Sequence, residues 1–329
     1  MKAIQIAELS GPESALRLVE APEPDPAHPL TPGEGVTIEV HCAGVSFPEL
    51  LQTRGRYQLK PPLPFIPGSE VGGIVRGVPE GDDFFDLGGR VAAFCGLGGF
   101  AETAVAPAFF VFALPDALDF AQGAGLILNY HTAYFALAMR GRLRAGESVL
   151  VHGAAGGVGT AALQVGRGLG ATTIAVVSSE EKERIAREAG AEHVLRSDGP
   201  WKDEAKEITG GGVDVVLDPV GGDRFTDSLR ALRENGRVVV VGFTAGAIPE
   251  VKVNRLLLNN TEVIGAGWGH WAMSHPAGTR EIGAALNAMI ETGHVRPIVG
   301  GRFPLEQAGE ALSALERREA LGKVVLDVR

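Results

Sequence analysis

The sequence predicts an α/β chain in two domains: a β-rich, partly closed barrel followed by a doubly wound parallel sheet. Three observations carry this. At 329 residues the chain exceeds the roughly 100–200 residues of one ordinary domain. Its texture changes near Asp119, from short strands broken by Pro and Gly to Val/Ile runs alternating with helical stretches. One of those runs, Ser148–His152, leads into a Gly-rich turn that opens a helix.

The first twenty residues alternate like a strand and carry acids early, without the basic flank and apolar stretch of a signal peptide. Residues 35–40 and 72–75 read as strands, and the Pro- and Gly-dense stretches 21–26 and 60–68 as turns. Beyond Asp119 the apolar runs 148–152, 173–177, 213–217 and 237–241 alternate with expected helices at 159–170 and 181–189. Strands apolar on both faces and separated by helices are the pattern of a parallel sheet covered on both sides. Residues 251–258 with 263–266 read as an edge strand able to pair across a two-fold axis, or as an ordinary strand within one subunit. The tail reads as a strand at 302–304, a helix at 306–318 and a last strand at 323–328 that returns to the first domain. The expected boundaries are 1–120 for the β-rich domain and 121–265 for the parallel sheet. Residues 266–329 then end the second domain and return to the first.

Composition excludes several classes. Hydrophobic residues make up 45% of the chain, yet no apolar run approaches the roughly 20 residues of a membrane span. The cytoplasm is therefore the expected compartment and no membrane partner is expected. Forty acidic against 30 basic residues, a net charge of -10, disfavour a nucleic acid partner, because phosphate backbones are bound by Lys and Arg. Two cysteines, Cys42 and Cys95, give no disulfide framework and read as small buried hydrophobes.

The strongest motif is the turn Gly153-Ala154-Ala155-Gly156-Gly157-Val158-Gly159. A dinucleotide pyrophosphate needs a sharp turn, close backbone approach and the free N–H groups of a helix N-terminus. Glycine meets the first two demands because it has no Cβ. Against the pattern G-x-G-x-x-G, the first glycine is replaced by Ala154, while Gly156 and Gly159 stand. A strand before, a helix after and a second strand some 20 residues on supply the required context. The end of that second strand selects the dinucleotide. An Asp or Glu there would bind the ribose hydroxyls and repel a 2′-phosphate. Here stand Ser178 and Ser179, with Lys182 close behind, so NADPH is expected rather than NADH. Glu180 and Glu181 oppose this reading unless they serve the next helix's dipole.

With these residues in hand, the chain resembles the medium-chain dehydrogenase/reductase superfamily in its zinc-free quinone oxidoreductase branch, over essentially its whole length. The resemblance rests on residues 43–46 (AGVS), 54–57 (RGRY), 64–70 (PFIPGSE), the Gly-rich turn, 218–222 (DPVGG) and 322–326 (GKVVL). It implies a GroES-like catalytic domain and a Rossmann nucleotide domain in a homodimer. It also implies NADPH as cofactor and a small-molecule acceptor. Ala155, Gly156, Gly157 and Val158 would face the pyrophosphate, Thr132 the nicotinamide end, and Val220, Gly242 and Phe243 the length of the cofactor. Ser178, Ser179, Lys182 and Arg318 would meet the 2′-phosphate. Ser197 stands where relatives have a tyrosine, with Arg196 as a substitute. Lys323 corresponds to a basic position near the pyrophosphate, and Tyr57 to a tyrosine of the active cleft.

Two departures alter the substrate pocket: Ser46 replaces the branch's usual asparagine, and Leu51 a tyrosine of several relatives. Zinc-dependent members have cysteine where Ser46 stands and histidine where Ser69 stands. A catalytic zinc takes three N, S or O ligands, and two of the three positions here are hydroxyls, so no metal is expected. His131 and His152 read as packing residues. Tyr57 and Ser46 are the candidates for orienting an acceptor. The leading functional reading is NADPH-dependent quinone reduction. Reduction of the C=C bond of an enone or enoyl thioester is the first alternative. An NADPH-binding protein with a structural or sensing role is the second.

Overall fold

The structure is a computed structural model and describes every residue except Pro29, Pro32, Asp82 and Asp83. The chain forms two compact units. One comprises residues 1–128, 276–283 and 297–329, the other 129–275 and 284–296. The breaks fall at 128 and 275, and the segment from 276 is shared between the two units.

The first unit contains β1 (Lys2–Ile6), β2 (Leu16–Glu20), β3 (Val36–Val45), β4 (Glu70–Gly77), β5 (Arg90–Phe94), β6 (Thr103–Ala106) and β7 (Val111–Ala113). Strand β3 organises it. Ten residues long, it pairs along one edge with β4, while its first half pairs with β6 on the other. Its side chains alternate between buried and half-buried until Cys42, after which all are buried. The core gathers Val36, Ile38, Val40, Val71, Val91 and Phe100.

The second unit contains β8 (Ser148–His152), β9 (Thr172–Val177), β10 (His193–Arg196), β11 (Val213–Asp218), β12 (Leu232–Val240) and β13 (Glu262–Gly265). They form one sheet in the order β10-β9-β8-β11-β12-β13, every pair parallel. Strands β8 and β11 are buried at every residue, which explains the apolar residues Val149–Val151 and Val215–Leu217 at their centres. Counted from β8, this is the doubly wound order 3-2-1-4-5-6, with its switch point between β8 and β11. The fold is thus a Rossmann sheet with a GroES-like domain. The tail supplies β14 (Val299–Pro304) and β15 (Lys323–Asp327) to the first unit, where β15 pairs with the second half of β3 and completes the curl of the sheet.

One expectation is corrected. Residues 251–258 are not a strand: Asn254–Asn259 is helical, and only β13 joins the sheet, at its edge. Three consecutive leucines within 254–259 suit a helix turn as well as a strand, and chain length alone could not separate the two.

His152 and His131 are packing residues. His152 is fully buried, with Nε2 2.8 Å from Ser228 Oγ and its ring edge-on to Trp201 at 4.9 Å. His131 lies against Trp268 at 5.3 Å. Burial lowers the pKa of each to about 3, so both are neutral when folded. The unfolded chain takes up protons below about pH 6.5, so stability is full above that pH and falls as pH drops toward 3. The slope is about 1.4 kcal/mol per pH unit for each histidine. Urea unfolding followed by tryptophan fluorescence at pH 7.5, 6.5 and 5.5 (~7.5 to ~5.5) should show this loss, and His152→Gln should make it shallower. A slope unchanged by that substitution would mean His152 is charged in the fold.

Candidate cofactor and active site

The second unit holds most of the residues expected to meet the nucleotide. The helix Gly157–Gly168 begins at Gly156, whose extended backbone (φ -85°, ψ 176°) provides no side-chain cap. The first N–H groups of a twelve-residue helix are therefore left for an outside acceptor at its positive dipole end, which fits a pyrophosphate. Gly153 turns the chain at φ +58°, one residue before the alanine that replaces the first glycine of the motif, so Ala154 can be buried at no conformational cost. A Cβ on Gly159 would run into the Gly153 carbonyl oxygen and come within 2.6 Å of Ala154 Cα, so this glycine lets the helix pack onto the turn. Ala155 is buried, and Gly156, Gly157 and Val158 are half-buried beside it.

The adjacent strand ends gather the polar residues expected around the 2′-phosphate. Ser179 caps the helix Glu180–Glu188 by accepting the Lys182 N–H at 3.3 Å. Lys182 Nζ donates to Ser178 Oγ at 3.3 Å, and Arg196 Nη2 donates to the Ser178 carbonyl at 2.9 Å. Arg196 also meets Asp198 at 3.6 Å. Ser197 N–H donates to the Val177 carbonyl at 2.8 Å, which sets it beside the end of β9. Two cations thus flank Ser178, while Glu180 and Glu181 occupy the first turn of the helix, where acids suit its dipole.

Past β11, the buried Asp218 accepts the N–H groups of Val220 and Gly221 at 2.8 and 2.9 Å through one oxygen. Burial pushes its carboxyl above the usual range. Thr244 and Ala245 donate to the carbonyls of Pro219 and Val220, so the loops carrying Val220, Gly242 and Phe243 are joined. Thr132 is buried at the start of a short α-turn between two π-helical stretches, Ile127–His131 and Phe135–Arg140. Arg318 belongs to the other unit, where it is exposed with φ +60° after the helix Ala308–Glu316.

The first unit carries a buried polar cluster around Ser46. Ser46 is the N-cap of the helix Phe47–Gln52 and is 7% exposed. Its N–H donates to Glu49 Oε2 at 2.9 Å, while Ser69 Oγ donates a short hydrogen bond to Glu49 Oε1. Lys323, 3% exposed, donates from Nζ to Ser46 Oγ at 2.6 Å and is ion-paired with Glu70. Glu70 Oε2 also accepts the Leu128 N–H at 2.9 Å. Glu49 and Glu70 are both fully buried, and burial pushes the Glu49 carboxyl up. A Cβ on Gly44 would come within 2.8 Å of Lys323 Cε and 2.7 Å of Glu70 Cγ, so the glycine of the AGVS motif leaves room for this ion pair.

The ammonium of Lys323 is buried and held by Ser46 and Glu70, because β15 delivers it into the interior of the first unit beside β3. Tyr57 lines a cavity of about 170 Å³ with Leu9, Gln52, Leu59, Leu63 and Phe65. Burial, and then the charge of Glu49, raise its phenol pKa. Leu51 is half-buried in the helix Phe47–Gln52, before the bend that carries Tyr57. Sequence reasoning missed Glu49, Glu70 and Gln52, whose buried amide has no hydrogen-bond partner among the described residues. A signal for Glu49 was present, since Ser46-Phe47-Pro48-Glu49 reads as a capping box.

Comparison with known proteins agrees with this geometry. Residues 32–116 match the alcohol dehydrogenase GroES-like domain, and residues 157–282 match the zinc-binding dehydrogenase family. The chain is 36% identical to the quinone oxidoreductase of Rattus norvegicus, over 99% of this chain and 97% of that protein. The chain belongs to the quinone oxidoreductase-like family of the medium-chain dehydrogenase/reductase superfamily. Among solved structures of that superfamily, Escherichia coli quinone oxidoreductase complexed with NADPH is 30% identical, with a TM-score of 0.88 and complete coverage of both chains. A probable oxidoreductase from Mycobacterium abscessus is 43% identical, with a TM-score of 0.88, covering all of this chain and 99% of that one. One family model is described as zinc-binding, yet among the described residues no three His, Cys, Asp or Glu side chains gather as a metal-binding group.

The close packing at Gly159 gives a direct check on the cofactor turn. Gly159→Val should destabilise the protein by about 1–3 kcal/mol through overpacking. It should also abolish dinucleotide binding, as measured by thermal unfolding and by quenching of protein fluorescence on titration with NADPH. Retained binding would show that the turn does not carry the cofactor.

Proposed function

We propose that this chain is an NADPH-dependent, zinc-independent quinone oxidoreductase that reduces a quinone or a similarly electron-poor small molecule. The observation that carries the choice of cofactor is the pair of cations, Lys182 and Arg196, around Ser178 beyond β9, where an acid would exclude a 2′-phosphate. The NADPH complex of the Escherichia coli relative supports the same choice.

In this reading the free N–H groups of the helix Gly157–Gly168 hold the pyrophosphate, with Ala155 and Gly156 beneath it. Ser178, Ser179, Lys182, Arg196 and Ser197 receive the 2′-phosphate. Thr132, Val220, Gly242 and Phe243 line the remainder of the cofactor. Bound NADPH supplies a hydride. An electron-poor acceptor needs chiefly to be positioned for it, and Tyr57 and Ser46 are the groups assigned to that task. Zinc independence rests on the residues around Ser46. Two hydroxyls, Ser46 and Ser69, replace the softer ligands of the zinc enzymes, and the Lys323 ammonium hydrogen-bonded to Ser46 repels a second cation.

The chain is also proposed to form a homodimer. Strand β13 is the edge of its sheet, and the nearby Leu257 and Leu258 are 77% and 76% exposed. An apolar edge of this kind is covered efficiently by a second copy of itself. In gel filtration with light scattering, the wild type should elute as a dimer and Leu257→Glu/Leu258→Glu as a monomer.

Catalysis is tested by following NADPH oxidation with quinones, short enones and an enoyl thioester side by side, with NADH and EDTA as controls. Rapid EDTA-insensitive turnover with NADPH and a quinone is expected. Preference for an enone or thioester would move the function to double-bond reduction, and tight NADPH binding without turnover would favour a structural or sensing role. Lys182→Ala and Arg196→Ala should each raise the Kd for NADPH by about tenfold, ~1.4 kcal/mol, and leave that for NADH nearly unchanged. Equal losses for both cofactors would remove these residues from the 2′-phosphate site.

A further inference from the structure

A lysine this buried must place each N–H, since an unpaired donor out of water is expensive. One proton of Lys323 goes to Glu70, which is otherwise satisfied by the Leu128 N–H. A second goes to Ser46 Oγ at 2.6 Å, a bond the ion pair with Glu70 does not itself require. Ser46 thus accepts from an ammonium, and among the described residues nothing accepts its own hydroxyl proton. A hydroxyl polarised in this way is a stronger donor than an ordinary serine.

We propose that Lys323 is a positioning residue that acts through Ser46, and that the Ser46 hydroxyl delivers the proton completing reduction of the acceptor. This rests on the oxidoreductase reading above. The acceptor gains two electrons and one hydrogen nucleus in the hydride from NADPH, which leaves as NADP+, and one further proton is needed at the acceptor oxygen. The Ser46 O–H bond breaks as the new O–H bond forms on the acceptor. The Lys323 N–H proton moves to Ser46 Oγ in the same event, and solvent returns a proton to the neutral amine.

The surroundings bear on this transfer. Glu70 and Glu49 are the buried carboxyls facing the pair, and Glu49 is tied to Ser46 through its N–H and to Ser69. Tyr57, which feels the charge of Glu49, and Cys95, which feels that of Glu70, are the other titratable neighbours. Burial pushes the Cys95 thiol up to about 12, so it stays protonated. The Glu70 carboxylate balances the ammonium, and burial pushes the Glu49 carboxyl up.

The test uses the full-length protein. Lys323→Met alone would strand the buried Glu70 charge, so it is paired with Glu70→Gln, and folding is checked by circular dichroism. In the double variant kcat should fall about 100-fold, in the range of a lost general acid. KM for the acceptor and the Kd for NADPH should change little, the solvent deuterium isotope effect should change, and Lys323→Arg should recover part of kcat. An unchanged kcat, or a fall matched by lost NADPH affinity, would overturn the proposal; the latter would return Lys323 to the pyrophosphate. A second arm needs no turnover. In Ser46→Cys, with EDTA present, the pH dependence of alkylation by iodoacetamide reports the thiol pKa at this position. That pKa should lie more than about one unit lower with Lys323 and Glu70 intact than in Ser46→Cys/Lys323→Met/Glu70→Gln. Equal values would overturn the polarisation of position 46 even if quinone reduction were confirmed. A low value in a protein that reduces no acceptor would sink the oxidoreductase reading while leaving this coupling standing.

Discussion

The first unit is arranged around one constraint: the ammonium of Lys323 and the carboxylate of Glu70 are buried together and each must neutralise the other. Removing two ions from water costs several kcal/mol apiece, and loss of either partner typically destabilises by about 3–5 kcal/mol. The chain meets this constraint with distant segments. Strand β15 brings the lysine from the end of the chain, β4 starts on the glutamate, and β3 contributes Gly44, whose missing side chain makes the space. Ser46, Ser69 and Glu49 then complete a polar network that a core of apolar strands would otherwise exclude. The hydroxyl assigned to the acceptor is held by the same bonds that make the ion pair tolerable.

The second unit solves a different problem. Its strands are apolar on both faces, so polar work is confined to the loops beyond their carboxyl ends. The glycine turn after β8, the serines and cations after β9 and β10, and the joined loops after β11 and β12 all lie there. Buried charge in this unit is again compensated. Arg237, 7% exposed, is paired with Glu147 at 2.6 Å and donates to the carbonyls of Gly141 and Arg142. The buried His131 and His152 stay neutral instead, which ties stability to pH.

Much of this was legible because it depends on local chemistry. Uninterrupted apolar runs at 149–151 and 238–241 announce strands buried on both faces, and glycine followed by helix announces an anion site. Ser178, Ser179 and Lys182 sit within five positions of each other, so their convergence required no tertiary knowledge. The positive φ of the turn falls on Gly153, which the sequence alone does not declare. Residues 251–258 were misread because a short apolar stretch fits either a helix or an edge strand.

By itself the sequence determined the two domain types, the parallel sheet and the dinucleotide turn. Each is written in periodicity or in neighbouring residues. Only the tertiary structure decided which side chains hold Lys323. The fold brings it 277 positions back along the chain to Ser46 and 253 back to Glu70. No pattern of neighbours can reveal such a pairing, because burial of a charge is enforced by desolvation, and desolvation depends on everything packed around it.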